Sequence, residues 1–269
     1  MGGHGQVQSN ITETVKFIVS YDGTDFHGFQ MQPGLRTVQG VFTDVLSNVV
    51  KHPLHVEGSG RTDAGVHAIG QVISAKVHCS IPAEKWPIAL NTRLPNDLCV
   101  REAEMMPDDF HARFSAVGKT YRYTVDRGKV PDIFLHRYAF HHPRRLNLPL
   151  MYEASQYLIG THDFTSFCGA SSPVDDKVRT IYSITLIEEG QLLHLYCTGN
   201  GFLYNMVRIL AGTLLQVGVG RWKPEHIVEM LRQKNRTKAG ITAPAHGLSL
   251  WQVYYDRQQL DRFVSSFGM

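Results

Sequence analysis

Apolar residues recur at two different spacings along the chain, and each spacing predicts one kind of secondary structure. Strands are predicted at residues 15–21, 54–58, 71–77, 98–104, 120–125, 181–187, 192–198 and 248–255. Helices are predicted at residues 38–49, 83–90, 150–158, 202–217 and 225–231. Several strands follow one another directly, as the strands of hairpins do, and helices separate these groups. This order favours an α+β fold rather than a doubly wound parallel sheet.

The helix at residues 38–49 has the most regular pattern. Its apolar residues lie three or four positions apart and therefore form one face; they are Val38, Val41, Phe42, Val45, Leu46 and Val49. Thr37 stands just before this helix, where its hydroxyl can accept a hydrogen bond from an exposed backbone amide. At residues 120–125 the aromatic and polar residues alternate instead, which predicts a strand with one aromatic face.

A glycine-rich segment at residues 58–67 separates two of the predicted strands. It is not a dinucleotide fingerprint, because Asp63 stands at the third glycine position, and it is not a P-loop, because Val66 and His67 replace the required Lys and Ser or Thr. What remains is a carboxylate on a glycine-bracketed turn beside Arg61. Such a carboxylate can act as a nucleophile. The alternative is that Asp63 only bonds neighbouring backbone amides, as Asp often does in turns.

Histidines and cysteines show no metal-binding or disulfide pattern. The chain has 14 histidines, but it contains no H-E-x-x-H motif and no combination of H-x-E with P-C-x-x-C. We therefore expect no metal and no cofactor. The four cysteines, Cys79, Cys99, Cys168 and Cys197, form no C-x-x-C pair, which favours a reducing compartment.

The sequence also gives an expectation about location. No apolar run approaches the roughly 20 residues that span a bilayer. The start of the chain lacks the basic and apolar regions of a secretory signal, so we interpret residues 1–14 as a disordered tail or one added for expression. These features predict a cytoplasmic protein without a membrane segment.

Positive charge is concentrated in two basic stretches, although the net charge is only +3. The first, residues 118–145, has seven Lys or Arg and two Asp; the second, residues 221–238, has six Lys or Arg and two Glu. A polyanionic partner such as a nucleic acid would fit both. For the second stretch, the alternative is that its basic residues only complement the carbonyl end of a helix.

The segment Gly-Arg-Thr-Asp-Ala-Gly-Val-His at residues 60–67 resembles the signature of the TruA family of pseudouridine synthases. Further similar segments follow in the family's order at residues 21–24, 28–30, 37–39, 108–116, 119–123, 163–167, 205–208 and 247–250. The resemblance covers about residues 15–255. It implies two ferredoxin-like halves that form a continuous, mainly antiparallel sheet flanked by helices, with a central cleft. Residues 15–115 would form the first half, carrying the catalytic Asp loop, and residues 116–269 would form the second and complete the cleft.

The resemblance also implies roles for individual residues. Asp63 would be the catalytic nucleophile, Tyr121 a catalytic residue that lies against the target base, and Arg208 the ion-pair partner of Asp63. Leu248 would pack on the uracil, and Arg61 would assist base flipping.

One departure from the family pattern is visible beside the predicted catalytic arginine. Tyr204 and Asn205 stand where many relatives have a pair of histidines or similar polar residues. The roles of these two positions are therefore left open by the resemblance.

The implied activity is isomerisation of uridine to pseudouridine at tRNA positions 38, 39 and 40, by a homodimer that binds tRNA. Two alternatives stay open from the residues alone. One is an RNA-binding module that has lost catalysis. The other is a glycosidase that uses Asp63 with Asp108 or Asp109, which needs carboxyl groups roughly 5–10 Å apart.

Overall fold

All strands in the described part of the chain belong to one sheet. The computed structural model describes residues 12–78 and 81–266. Its strands are β1 (Glu13–Tyr21), β2 (Val56–Gly58), β3 (His67–Val77), β4 (Leu98–Met106), β5 (Gly118–Asp126), β6 (Phe140–His141), β7 (Gly160–Asp163), β8 (Val178–Glu189), β9 (Leu192–Gly199) and β10 (Leu248–Tyr254). Its helices are α1 (Val38–Val50), α2 (Trp86–Asn91), α3 (Leu148–Gln156), α4 (Met206–Gly218), α5 (His226–Gln233) and α6 (Arg257–Ser266).

The sheet has the order β4-β1-β3-β10-β5-β9-β8-β7, with β2 beside β3 and β6 beside β5. Neighbouring strands are antiparallel except in the pairs β10 with β3 and β5 with β6. The predicted α+β class with a continuous, mainly antiparallel sheet is therefore confirmed.

Two βαββαβ units can be traced within the sheet. The first runs β1-α1-β2-β3-α2-β4 with the spatial order β4-β1-β3-β2, and the second runs β5-α3-β8-β9-α4-β10 with the order β10-β5-β9-β8. Both orders are those of a ferredoxin-like unit. Strand β10 joins the two units, because it pairs with β5 on one side and with the start of β3 on the other.

Aromatic packing attaches the first two helices to the sheet. Phe17 of β1 is fully buried between Phe42 of α1 and Trp86 of α2, with ring centroids 5.4 and 5.5 Å apart. Burying side chains of this size contributes about 1.5–3 kcal/mol each. The hydroxyl of Thr37 accepts a hydrogen bond from the amide of Gly40, so the predicted cap of α1 is present.

Several element boundaries differ from those predicted. Strand β1 begins at Glu13, inside the segment interpreted as a tail, whereas residues 1–11 of that segment lie outside the described residues. Helix α4 begins at Met206 rather than at residue 202, because Asn205 has the left-handed backbone conformation with φ of 60°. The short strands β6 and β7 and the C-terminal helix α6 were not predicted.

Two glycines allow backbone segments to meet around the predicted catalytic residues. Gly28 has a φ of +84°, and a Cβ atom there would lie 2.8 Å from the carbonyl oxygen of Thr62. In α4, a Cβ atom on Gly212 would lie 2.1 Å from the carbonyl oxygen of Ile241. Because neither residue has a side chain, the loop that contains Gly28 can pack on the Asp63 turn, and the segment at Ile241 can pack on α4.

Candidate active site

Asp63 lies in the loop between β2 and β3, and its side chain is 19% exposed. Backbone hydrogen bonds hold this loop on both sides of the residue. The amide of Phe29 donates to the carbonyl of Thr62 at 3.0 Å, and the amide of Val66 donates to the carbonyl of Asp63 at 3.1 Å. The loop therefore presents the carboxylate from a fixed backbone.

Arg208 contacts this carboxylate from the first turn of α4. Its Nη1 donates to Oδ2 of Asp63 at 3.3 Å and to Oδ1 of Asn205 at 2.8 Å, while its Nε donates to the carbonyl of Ala243 at 2.8 Å. The Arg208 side chain is 17% exposed. Three acceptors thus orient the guanidinium, and the carboxylate is one of them.

Burial and the arginine act on Asp63 in opposite directions. Burial raises the pKa of the Asp63 carboxyl above its ordinary value, and the charge and hydrogen bond of Arg208 oppose that rise. Arg208 therefore favours the ionised carboxylate, but desolvation is the larger effect.

Tyr121 lies on β5 with its hydroxyl directed toward the Asp63 loop. The side chain is 8% exposed, and its ring packs edge-on against Phe202 at a centroid distance of 5.2 Å. A Cβ atom on Gly60 would lie 3.6 Å from the Tyr121 hydroxyl. Burial raises the pKa of Tyr121 well above its ordinary value, and the neighbouring Tyr21 and Asp63 add to this rise. The hydroxyl is therefore protonated at neutral pH.

Leu248 and Arg61 lie at different depths. Leu248 opens β10 directly opposite Tyr123, so it shares the sheet face of Tyr121, and it is 5% exposed. Arg61 is exposed, and the described part of the chain offers its guanidinium no hydrogen-bond or ion-pair partner. The structure thus brings Asp63, Arg208 and Tyr121 together, places Leu248 on the same sheet face as Tyr121, and leaves Arg61 facing outward.

Two further residues at this site were not assigned a role from the sequence. Asn205 orients Arg208 by accepting a hydrogen bond from it. The spacing of the two residues in the sequence could have indicated this contact, since residues three apart share a helix face. Lys119 donates from Nζ to the carbonyl of Ser59 at 2.5 Å, and burial lowers its pKa to about 8. Lys119 stands two residues before Tyr121 on β5, and this spacing places both on one face of the strand.

The strand register does not favour a glycosidase-like carboxylate pair. Asp108 and Asp109 follow β4, whose end at Met106 pairs with Thr14 at the start of β1. The Asp63 loop instead leads into the residues that pair with Tyr21, at the end of β1. The two regions therefore leave the sheet at opposite ends of β1.

The family description "tRNA pseudouridine synthase" matches residues 17–115 and 154–256 of the chain. The chain belongs to this family. The protein named tRNA pseudouridine synthase A from Bacillus subtilis (strain 168) is 54% identical over 244 residues, which cover 90% of this chain and 99% of that protein. Its namesake from Geobacillus kaustophilus (strain HTA426) is 49% identical over 251 residues, covering 93% of this chain and 97% of that protein.

A weaker likeness is found among solved structures. A chain in the crystal structure of a Cbf5-Nop10-Gar1 complex is similar with a TM-score of 0.31 and 13% identity, covering 74% of this chain and 54% of that one. A likeness of this size does not bear on function.

Within residues 12–78 and 81–266, no group of three or more His, Cys, Asp or Glu side chains is arranged to hold a metal ion. No helix in those residues has the length and apolarity needed to cross a membrane. Cys99, Cys168 and Cys197 are free thiols, and Cys79 lies outside the described residues.

Proposed function

We propose that this protein converts uridine to pseudouridine in tRNA, at positions 38, 39 and 40 of the anticodon arm. Its membership of the tRNA pseudouridine synthase family supports the reaction and the substrate class. The observation that carries the proposal is the half-buried Asp63 carboxylate, held 3.3 Å from Arg208 in a loop that the Tyr121 hydroxyl faces.

The reaction is an isomerisation, so its atoms balance without a second substrate. The bond between the uracil nitrogen and the sugar carbon breaks, the base turns, and a bond forms between a base carbon and the same sugar carbon. The base carbon loses a proton and the nitrogen gains one, and no net oxidation occurs. Asp63 can serve by attacking the sugar or the base, or by assisting proton removal at the sugar.

The neighbouring side chains fit the needs of a flipped base. Extruding a nucleotide from a stack costs a few kcal/mol, which contacts in the pocket must offset. Tyr121 and Leu248 would supply apolar contact with the uracil. The exposed Arg61 would assist the base as it leaves the stack.

The two basic stretches would contact tRNA phosphates, because Lys and Arg release bound counterions when they neutralise phosphates. We propose further that the enzyme is a cytoplasmic homodimer. Residues 15–115 would form its first half, and residues 116–269 would form the second.

An Asp63→Asn variant tests the proposal, with Asp108→Asn as the matched control at an exposed carboxylate. Unmodified tRNA is incubated with each folded protein, and pseudouridine is mapped. We expect no conversion by Asp63→Asn, tRNA affinity within a few-fold of normal because phosphate contacts dominate affinity, and full conversion by Asp108→Asn. Comparable conversion by Asp63→Asn would overturn the assignment of the nucleophile. A wild-type protein that binds tRNA without converting it would indicate the catalytically inactive RNA-binding module.

A further inference from the structure

Buried polar side chains lie within and beneath the Asp63 loop and are not needed for the bond changes themselves. They are Tyr21, Ser59, Thr62 and Gln71, and each is 6% exposed or less. Burying polar groups is unfavourable unless their hydrogen bonds are made. Their clustering around one loop therefore calls for a physical reason.

Gln71 of β3 holds the start of the loop through both ends of its amide. Its Nε2 donates to the carbonyl of Gly60 at 2.9 Å. Its Oε1 accepts from the hydroxyl of Ser59 at 2.6 Å and from the amide of Val72 at 3.1 Å. One side chain thus fixes two consecutive residues of the loop to the sheet.

Tyr21 of β1 holds the residue next to the nucleophile. Its hydroxyl shares a hydrogen bond of 2.8 Å with the Thr62 hydroxyl and accepts a longer one of 3.4 Å from Gln71. Burial raises the pKa of Tyr21 to about 12, so the hydroxyl keeps its proton at neutral pH. The contacts of Gln71 and Tyr21 therefore form one connected network.

We propose that Gln71 and Tyr21 are positioning residues for the isomerisation, which act on Asp63 through Gly60 and Thr62. This inference rests on the proposed function. Asp63 reaches Arg208 with a single contact of 3.3 Å across the site, and its carboxylate makes no other side-chain hydrogen bond or ion pair in the described residues. Its place is consequently set by its backbone. A displacement of about 1 Å at a reacting group can reduce the rate about 100-fold.

The main test replaces Gln71 with Met, which keeps the length of the side chain and removes its hydrogen bonds. The control is Tyr254→Phe, which removes one buried hydrogen bond of 3.1 Å with Thr120, on the opposite face of β5 from Tyr121. We expect kcat to fall by about 10- to 100-fold in Gln71→Met while KM for tRNA changes by less than about threefold. Tyr254→Phe should lower Tm less than Gln71→Met does, because it removes one hydrogen bond rather than four, and it should retain the wild-type kcat.

A second pair of variants separates hydrogen bonding from packing at Thr62. Thr62→Ser keeps the hydroxyl that meets Tyr21, whereas Thr62→Val keeps the shape and removes it. We expect kcat close to normal for Thr62→Ser and reduced for Thr62→Val. Equal kcat in the two variants, or a wild-type kcat in Gln71→Met, would refute the inference while leaving the proposed function intact.

Hydrogen–deuterium exchange measures the same positioning without catalysis. Amides of residues 60–63 should exchange faster in Gln71→Met than in wild type and Tyr254→Phe, because the loop has lost its attachment to the sheet. Unchanged exchange there would count against the inference. If the wild-type protein does not convert tRNA, the proposed function is refuted. Faster exchange at residues 60–63 in Gln71→Met than in wild type would then still support the attachment of the loop by Gln71.

Discussion

Replacing Arg208 with Gln should move the acidic limb of the activity profile to higher pH. Burial already raises the pKa of Asp63, and the substitution removes the group that opposes this rise. At the 3.3 Å between Nη1 and Oδ2, two unit charges attract by about 1.3 kcal/mol in water and about 5 kcal/mol at an effective dielectric constant near 20. The pair is 17% and 19% exposed, so its interaction lies between these limits.

The lower limit already gives a measurable effect, because about 1.4 kcal/mol changes an ionisation equilibrium tenfold. At the pH where wild-type activity is half its plateau, Arg208→Gln should retain only about a tenth of its own plateau. Stability has its own pH dependence: the folded state of the variant binds the Asp63 proton more tightly than the unfolded state does. Its free energy of unfolding should therefore fall as pH rises from the ordinary pKa of the carboxyl through its raised folded pKa.

Single-turnover conversion of tRNA, measured across acidic and neutral pH, provides the assay. Arg93→Gln is the control, since Arg93 lies outside both basic stretches and bonds to Ala89 and Thr92 and not to a carboxylate. The control should keep the wild-type acidic limb. An acidic limb that is the same in Arg208→Gln and wild type would show that Arg208 does not govern the ionisation of Asp63.

Three other outcomes follow from the same contacts. Tyr121→Phe should keep a Tm near that of wild type, because the hydroxyl has no hydrogen-bond partner within the described residues, and it should lose turnover if the hydroxyl transfers a proton. Tyr121→Ala should lose turnover and also about 3 kcal/mol of stability. Asn205→Gly tolerates φ of 60° but removes the acceptor for Arg208, so its kcat should fall several-fold, whereas Asn205→Asp should remain closer to normal. Affinity for tRNA should fall steeply between 50 and 200 mM salt, and an affinity independent of salt would exclude a role of the basic stretches in phosphate binding.

Local patterns predicted most of the fold, because most elements bury one regular apolar face. Helix α1 and its cap at Thr37 are examples. Prediction failed where tertiary contacts rather than periodicity fix the backbone. The start of α4 is displaced by the left-handed conformation of Asn205, and α6 buries only Leu260, which leaves little apolar pattern to detect.

The geometry of the candidate site was less accessible from the sequence. Asp63 and Arg208 are 145 positions apart, and only the family resemblance linked them before the structure did. Gln71, by contrast, left a local signal. It shares one strand face with Ile73, Ala75 and Val77, and a polar side chain on an apolar face needs buried partners.

The candidate site is assembled from both ferredoxin-like units, and β10 holds them in register. The Asp63 loop belongs to the first unit, while Tyr121 and Arg208 belong to the second. Strand β10 pairs with β5 over most of its length but with β3 through only Ser249 and Leu250. Because this short parallel pairing lies immediately after the Asp63 loop, a change that loosens it would separate the carboxylate from its arginine without altering either residue. Reduced activity in variants at this junction can therefore arise from lost alignment of two intact units, with no loss of a catalytic group.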